Sequence, residues 1–398
     1  MITYILDKIA LLCPNLINKL AVRFCPYDLT NLNLDLTNLN QKKVLICYLR
    51  TFNVNMFKLN HAAYAQLNQI LLYFIKKGYC IDLCDCLDMK AFNRLKENKY
   101  DIMLGFGSVF KAFSLTGNVK FKILYMTENN PDIVKEKYNE RIQYFNKRHP
   151  LISVKKSVLR NQYFDREQLN IADCAIMMSS DYNASSVRRI ISNVWTINSN
   201  VLLNKTLNIN ELVSIKNVAE SRFNLLWFGS LGFIHKGLDI LLDVLKILPD
   251  YTLNCYGISQ SEISLFQKLS SKNTHNKGFI NVWEEKFIVD VVMKHNFMIF
   301  PSCSEGMSTA VTTCMTYGII PIITKETGIE SNSCIIELED YKIETIHKTI
   351  RELEKMSDIE IYEKRKLCSE YARENFSLEN FDKSFSEIMD NITKKYRL

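Results

Sequence analysis

The chain has 398 residues, of which 47% are hydrophobic, and it carries 50 basic against 43 acidic side chains for a formal net charge of +7. This hydrophobic content can build full cores, so the composition excludes a disordered chain, and the length predicts two or three domains. No block of like charge is long enough for a nucleic-acid-binding arm. The modest positive charge favours anionic small molecules or an acidic membrane surface.

Cysteine usage and the N-terminus point to a cytoplasmic protein. The twelve cysteines are scattered through apolar runs, which is typical of reduced thiols. Cys80, Cys84 and Cys86 lack a CxxC partner set and a nearby histidine, so we expect buried thiols there and no metal. No signal peptide is visible, and no apolar run approaches the ~20 residues that span a bilayer.

Residues 1–40 are predicted to form a helical leader that packs on the rest of the protein, with membrane contact as a further role. Two amphipathic segments are interrupted by Pro14 and followed by Pro26, and the segment 28–33 recurs as 35–40. A single seven-residue repeat is too short for a solenoid or a coiled coil.

From Lys43 onward, apolar runs alternate with amphipathic segments. A helix is predicted from His61 to Lys77, where Gly78 ends it. Strands are predicted at 44–49, 81–83, 101–106, 122–126 and 173–178. Because strands that alternate with helices form parallel, doubly wound α/β sheets, residues 41–200 are predicted to be a Rossmann-like domain.

A polar stretch at 198–222 separates this pattern from a second one of the same kind. Residues 201–370 are therefore predicted to be a second Rossmann-like domain. Its strands are predicted at 223–229, 251–256, 278–282, 296–300 and 319–323.

The segment 301–309 of the second domain contains the strongest candidates for a ligand-binding site. The apolar strand before it is typical of a parallel strand buried on both faces, and it delivers Glu305 to the strand's carboxyl end. The chain then bends at Gly306, and Ser308 or Thr309 can cap a helix whose free N–H groups bind phosphate. The alternative is an ordinary strand–helix unit with a solvated glutamate.

A lysine stands at the start of another predicted helix of this domain. The positive charge of Lys236 at this end of the helix dipole costs about 0.3–1 kcal/mol. An anion bound beside Lys236 would explain why a lysine stands there. The alternative is a side chain that points to water. Because ligands of doubly wound sheets lie at the carboxyl ends of the strands, Ser230, Lys236, Glu305 and the Ser308 helix predict a nucleotide-diphosphate crevice.

Four residues of the first domain are candidates for contact with an acceptor. Thr127 and Glu128 follow the strand 122–126 and should face the cleft by the same rule, and Arg141 lies on the helix that begins at Pro131. His61 starts a helix after a long loop, although a lone histidine is more often a surface residue. Plain helix caps are the alternative for the polar loop.

The second domain contains a set of short motifs at the ends of its predicted strands. They are Phe228-Gly229-Ser230, Lys236-Gly237-Leu238-Asp239, Tyr256-Gly257, Pro301-Ser302, Ser304-Glu305-Gly306 and 315–322. Together these motifs resemble the C-terminal domain of family 4 glycosyltransferases, firmly over residues 223–330 and more weakly over 43–200. The resemblance implies the GT-B architecture, in which two Rossmann-like domains face each other across a cleft and the closing helices, here 371–398, cross back to the N-terminal domain.

The resemblance also implies roles for individual residues. Lys236 would bind the donor's diphosphate and stabilise its negative charge as the sugar leaves. Glu305, with the backbone of Gly306, Met307 and Ser308, would hold the donor's sugar hydroxyls and phosphates. The predicted donor-binding set is completed by Gly229, Ser230, Thr309 and Thr313.

Two departures from the family pattern leave an alternative open. Ser230 stands where the family usually has an arginine, and Thr313 stands where it usually has a glutamate for the nucleotide ribose. The loss of such contacts typically costs about 1–3 kcal/mol. A catalytically inactive GT-B partner subunit of another transferase is therefore one alternative.

Other reaction types fit the residues less well. A nucleotide-sugar epimerase on the same fold needs acid and base groups around the sugar ring, of which the predicted cleft offers few. A hydrolytic glycosidase needs two carboxylates, whereas only Glu305 is a convincing candidate. Asp82, Asp85 and Asp88 have the wrong spacing for a metal-binding Asp-x-Asp pair.

The resemblance therefore implies a retaining hexosyltransferase, and we expect it to need no metal or other cofactor. We expect a nucleotide-sugar donor, a glycan or lipid-linked acceptor and no nucleic acid. The expected setting is surface or capsular polysaccharide synthesis in a bacterium, in the cytoplasm or at the inner face of the membrane.

Overall fold

The structure is a computed structural model that describes residues 29–49, 62–154, 163–201 and 209–398. Its described strands form two sheets, each surrounded by helices. We call the first sheet with its helices the N-lobe and the second sheet with its helices the C-lobe. The predicted domain boundaries themselves stay predictions.

The N-lobe sheet has seven strands in the order β1-β3-β2-β4-β5-β6-β7. The strands are β1 Leu29–Leu32, β2 Lys43–Tyr48, β3 Cys80–Asp85, β4 Tyr100–Gly105, β5 Val119–Met126, β6 Cys174–Met178 and β7 Val194–Ile197. The helices are α1 Ala62–Lys76, α2 Met89–Leu95, α3 Gly107–Ser114, α4 Pro131–Arg148, α5 Arg166–Ile171 and α6 Asp181–Arg188.

The central strands form where continuous apolar runs were predicted to form them. Every residue of β6 is buried, as are five of the six residues of β2, because helices cover the sheet. The end of β4 requires a glycine, since a Cβ on Gly105 would lie 2.0 Å from the carbonyl oxygen of Cys47. The pairs from β2 to β7 are parallel.

The prediction of a helical leader is wrong for the part of it that the structure describes. Strand β1 pairs antiparallel with β3 at the edge of the sheet, where the N–H of Asn31 donates to Asp82 over 2.7 Å. Asn31 and Asn33 have φ values of 56° and 60°, which asparagine tolerates but a right-handed helix excludes. Residues 1–28 of the predicted leader lie outside the described residues.

The C-lobe sheet has six strands in the order β10-β9-β8-β11-β12-β13, and all its pairs are parallel. The strands are β8 Asn224–Phe228, β9 Thr252–Tyr256, β10 Thr274–Asn276, β11 Phe297–Phe300, β12 Ile320–Ile323 and β13 Ile336–Glu337. The helices are α7 Ile209–Ile215, α8 Leu238–Lys246, α9 Ile263–Leu269, α10 Glu285–Phe287, α11 Thr309–Thr316, α12 Ile343–Leu353 and α13 Asp358–Asn375.

The predicted strand at 278–282 is a second wrong assignment. The strand that pairs with β9 lies earlier, at β10, and Gly278 then turns the chain with a φ of +75°. The apolar residue Ile280 is 5% exposed, but it is buried from a loop. The neighbouring Phe279 is 87% exposed, so the apolar run at 278–282 reflects neither strand pairing nor uniform burial.

The last helix, α14 Leu378–Tyr396, crosses back to the N-lobe. The hydroxyl of Tyr73 on α1 donates to Asp390 over 2.7 Å, and its ring meets Phe385 edge-on at 5.7 Å. Near the helix end, Tyr396 packs on Phe121 of β5 with ring centroids 4.5 Å apart. The predicted return of the closing helices is confirmed.

This docking can be tested with the substitution Phe385→Ala. Phe385 is fully buried, and its truncation leaves a cavity between α14 and the N-lobe that should cost about 3–5 kcal/mol of unfolding free energy. Urea denaturation measures the effect. The exposed neighbour Lys383 on the same helix provides the control Lys383→Ala, which we expect to unfold like the wild type. Equal midpoints for the two variants would show that α14 does not dock in this way.

Candidate active site

An ion pair between Lys236 and Glu305 lies at the centre of the candidate site. The Lys236 Nζ is 2.9 Å from the Glu305 Oε1, and the Ser302 hydroxyl donates to the same oxygen over 2.9 Å. The two charged side chains are only 8% and 16% exposed. They meet because β8 and β11 are neighbouring parallel strands, so the loops that follow them leave the same edge of the sheet.

The environment keeps Glu305 ionised. Burial acts to raise the pKa of Glu305, but the ammonium of Lys236, followed by hydrogen bonds from Lys236 and Ser302, outweighs it and holds that pKa below its ordinary value. The ammonium also lies 5.2 Å from the centre of the Phe300 ring. The site therefore holds a charged pair in partial shelter from water, where electrostatic interactions are strong.

The loop before α8 fixes the direction of Lys236. The carboxylate of Glu262 accepts the N–H groups of Gly232 and Phe233, and the N–H of Lys236 donates to the Gly232 carbonyl over 2.7 Å. Gly237 follows with a φ of +70°, and a Cβ there would lie 2.7 Å from Pro301. The left-handed turn therefore brings the start of α8 against the loop that carries Glu305.

A second set of backbone contacts holds the Glu305 loop. The N–H of Glu305 donates to the Glu326 carbonyl over 2.8 Å, and the N–H of Ser308 donates to the Thr327 carbonyl over 3.0 Å. Helix α11 then begins at Thr309, and Ser308 is its N-cap residue but makes no side-chain capping bond. The first turn of α11 therefore has no side-chain cap, which is the condition for anion binding at a helix start.

Three polar side chains of the N-lobe form hydrogen bonds with the same loop. The amide of Asn129 donates to the Ser304 hydroxyl over 3.1 Å, the hydroxyl of Ser179 donates to the Gly306 carbonyl over 2.6 Å, and the amide of Asn183 donates to the Glu305 carbonyl over 3.1 Å. The two lobes therefore meet at the residues around Glu305.

The sequence reasoning missed these three side chains, although a signal was present. Asn129 belongs to the polar loop after β5 from which Thr127 and Glu128 were chosen, and Ser179 and Asn183 follow the carboxyl end of β6. The rule that selected Thr127 applies equally to them. Thr127 itself approaches the loop through its backbone, since a Cβ on Gly306 would lie 2.1 Å from the Thr127 carbonyl oxygen.

His235 and Cys303 form a pair beside the site that the sequence did not predict, in which the thiol is buried and the His235 side chain is 19% exposed. The Cys303 Sγ is 3.5 Å from the His235 Nδ1, and the His235 Nε2 lies against the Ser304 carbonyl. Burial lowers the pKa of His235 to about 4 and raises the pKa of Cys303 to about 12. Both groups are therefore neutral near pH 7, so the thiol is not an activated nucleophile.

The other predicted donor-binding residues are placed around this centre. Gly229 and Ser230 follow β8, with Ser230 exposed. The Met307 sulfur accepts the N–H of Ser199 from the N-lobe over 3.2 Å. Thr313 is half-buried, and its hydroxyl donates to the Thr309 carbonyl of its own helix over 2.7 Å.

The predicted acceptor-side residues lie in different environments. Thr127 and Glu128 are half-buried in the loop that faces Gly306, whereas Arg141 is 1% exposed between the lobes. His61 lies outside the described residues. Arg222, which could have replaced the missing arginine at Ser230, instead binds Asp358 and two carbonyl groups near it.

Within residues 29–49, 62–154, 163–201 and 209–398, no three His, Cys, Asp or Glu side chains converge as a metal site. Over the same residues, no helix has the length and apolar character to cross a membrane.

Comparison with known proteins gives similarity in structure without similarity in sequence. No family model matches the chain, and no curated protein matches it in sequence. HepE from Anabaena, solved in complex with UDP and glucose, has a TM-score of 0.55 and 12% identity over 88% of this chain and 100% of its own. The sucrose-phosphate synthase of Thermosynechococcus elongatus has a TM-score of 0.57 and 12% identity over 89% and 100%.

A third similar structure is WaaG, a glycosyltransferase involved in lipopolysaccharide biosynthesis. Its TM-score is 0.53 and its identity 14%, over 87% of this chain and 99% of its own. At these identities the likeness shows the fold. The chain has the GT-B architecture of two Rossmann-like lobes that the sequence predicted.

The lowered pKa of His235 predicts a pH dependence of stability. Because its pKa is about 4 in the folded protein and about 6.5 in the unfolded chain, only the unfolded chain binds this proton between those values. The free energy of unfolding should therefore fall as the pH drops from 6.5 to 4, by up to about 3 kcal/mol from this group.

Urea denaturation at pH 7.5 and pH 5 measures the effect in wild type and His235→Gln. We expect a smaller difference between the two pH values in the variant, whereas His347→Gln, on a helix far along the chain, should keep the wild-type difference. The same pH dependence in His235→Gln and wild type would contradict a neutral, buried imidazole.

Proposed function

We propose that the chain is a glycosyltransferase that uses a nucleotide-sugar donor. The observation that carries this proposal is the sheltered Lys236–Glu305 pair at the carboxyl edge of the C-lobe sheet, next to the uncapped start of α11. This arrangement offers an ammonium and backbone N–H groups to an anion. The GT-B fold, shared with HepE in its complex with UDP and glucose, supports a nucleoside diphosphate as that anion.

The proposed chemistry follows from charge. When the bond between the sugar and the diphosphate breaks, positive charge develops on the sugar and negative charge on the leaving diphosphate. The ammonium of Lys236 and the N–H groups at the start of α11 would stabilise the leaving group without a metal. Glu305 would hold the sugar hydroxyls, and the acceptor hydroxyl would form the new bond and release its proton.

The finer assignments belong to the same proposal. Retention of configuration, a hexose as the transferred sugar and independence of metals and cofactors follow from the resemblance to family 4. A glycan or lipid-linked acceptor would enter from the N-lobe side, near Thr127 and Glu128. A role in surface polysaccharide synthesis, in the cytoplasm at the inner face of the membrane, completes the proposal.

A specific observation favours an inactive partner subunit as the second candidate. Among the described residues, Arg222 binds Asp358 and the Met356 carbonyl instead of approaching Ser230, and the Thr313 hydroxyl bonds to its own helix. Such a subunit could still bind a nucleotide. Release of free nucleoside diphosphate from a nucleotide sugar would exclude this candidate.

The donor site can be tested with Lys236→Ala and a thermal-shift screen. UDP and a panel of nucleoside diphosphates and nucleotide sugars serve as ligands, because a ligand that binds the folded state raises the unfolding midpoint. Loss of a charged hydrogen bond of about 1.5–3 kcal/mol should weaken the best ligand roughly 10- to 150-fold. The control Lys294→Ala removes an exposed lysine that pairs with Asp290. Equal ligand shifts in the two variants would exclude Lys236 from the phosphate site.

The departure at Thr313 gives a gain-of-function prediction. In Thr313→Glu, a carboxylate at the position of the family's ribose contact can accept two hydroxyl bonds, so UDP should bind about 5- to 10-fold more tightly. Isothermal titration measures the change. Pyrophosphate, which has no ribose, should bind the variant no better than the wild type. A parallel gain for both ligands, or a loss for UDP, would contradict the proposed donor orientation.

A further inference from the structure

We propose that Arg141 is a positioning residue, which clamps from the N-lobe the backbone that carries Lys236 and Glu305. Arg141 lies on α4 and is 1% exposed. Its Nη2 donates to the Pro301 carbonyl, and its guanidinium lies 3.9 Å from the centre of the Tyr341 ring. Pro301 and Tyr341 both belong to the C-lobe, so the side chain reaches across the interface between the lobes.

The burial of this cation is not explained by an ion pair. Among the described residues no carboxylate lies within salt-bridge distance of Arg141, and its Nε and Nη1 have no hydrogen-bond partner there. A buried charge without a paired carboxylate generally costs stability. The contacts that offset this cost are the hydrogen bond to the Pro301 carbonyl and the Tyr341 ring, so the burial of Arg141 and the position of Pro301 depend on each other.

Arg141 meets both segments of the candidate site at one point. Its Nη1 lies 3.1 Å from the position of a Cβ on Gly237, and the same position is 2.7 Å from Pro301. Gly237 directly follows Lys236, and Pro301 begins the loop that leads to Glu305. A guanidinium packed on both backbones limits their movement relative to each other, and so limits the separation of the two charged side chains.

A second arginine of α4 provides the contrast. Arg148 binds Asp239 and Asp243 of α8, and His149 lies 2.8 Å from Asp243. These ion pairs dock α4 on α8 without touching the Pro301–Glu305 loop. Arg148 therefore holds the lobes together, whereas Arg141 acts on the geometry of the site.

Because Arg141 belongs to the N-lobe, the relative position of the two backbone segments that carry Lys236 and Glu305 depends on contact between the lobes. A donor would then bind a site on the C-lobe whose geometry depends on the N-lobe. This consequence for the donor rests on the proposed function, but the clamp itself does not. Arg141 thus acts through Pro301 and Gly237, and an acceptor contact is not needed to explain it.

The clamp can be tested without any ligand through the thiol of Cys303. This thiol is 3% exposed, and Cys314 on α11, at 1% exposed, serves as the internal reference. Native protein is treated with N-ethylmaleimide, and the rate at each cysteine is read by peptide mass spectrometry. Loosening of the loop in Arg141→Leu should raise the Cys303 rate at least 10-fold relative to Cys314.

Conservative variants separate a positioning role from a structural one. Arg141→Lys keeps the charge but loses the planar contact with Tyr341, so we expect an intermediate Cys303 rate. Arg148→Lys should leave the ratio of the two rates unchanged. The contrary outcome is that the labelling rates of Cys303 and Cys314 rise together in Arg141→Leu, while Arg141→Lys matches the wild type. In that case Arg141 is only a structural residue, and the proposal is overturned.

A second measurement connects the clamp to the donor site. The dissociation constant for UDP should rise at least 10-fold in Arg141→Leu and stay within 2-fold of the wild-type value in Arg148→Lys. If Arg141→Leu binds UDP like the wild type, the clamp does not position the donor site. If the wild-type protein binds no UDP, the donor assignment fails, and the labelling ratio still decides whether the clamp exists.

Discussion

The pairing of Lys236 with Glu305 is the interaction on which the site depends. Two opposite charges 2.9 Å apart in partial shelter attract strongly, but each loses hydration, so the pair persists only where further hydrogen bonds support it. Ser302 supplies one such bond. The adjacent strands β8 and β11 bring Lys236 and Glu305 together, because the carboxyl ends of the two strands lie at one edge of the C-lobe sheet.

The contacts between the lobes are polar where they approach this pair. Hydroxyl and amide groups of the N-lobe bind backbone carbonyls of the Glu305 loop, and arginines of α4 meet the start of α8 and Pro301. Polar interfaces of this kind are typical of domains that move relative to each other. Residues of the C-lobe form the site, and residues of the N-lobe hold its loop. Ligand binding and contact between the lobes can therefore affect each other.

The neutral pair of His235 and Cys303 limits the chemistry of the site. Both groups are neutral near pH 7, so among the described residues Lys236 is the charged group in contact with the Glu305 carboxylate. A single carboxylate beside an ammonium suits stabilisation of a leaving anion better than paired acid and base catalysis. The geometry is therefore consistent with transfer chemistry that depends on electrostatic stabilisation.

The sequence by itself determined the class of fold and the two charged residues of the site. Continuous apolar runs mark parallel strands, and the strand-end rule places Lys236 and Glu305 at one edge, since both signals are local. Local signals failed at Leu29–Leu32, which pairs with β3 as an edge strand, and at 278–282, where a loop buries Ile280 but leaves Phe279 exposed.

Only the tertiary structure decided how the N-lobe completes the site. Ser179 meets Gly306 across 127 residues, and Arg141 meets Pro301 across 160. No periodicity or spacing encodes such contacts, because they depend on how the two lobes pack and on which side chains that packing buries. The sequence therefore specified the groups that carry charge, and the packing of the lobes specified what holds them in place.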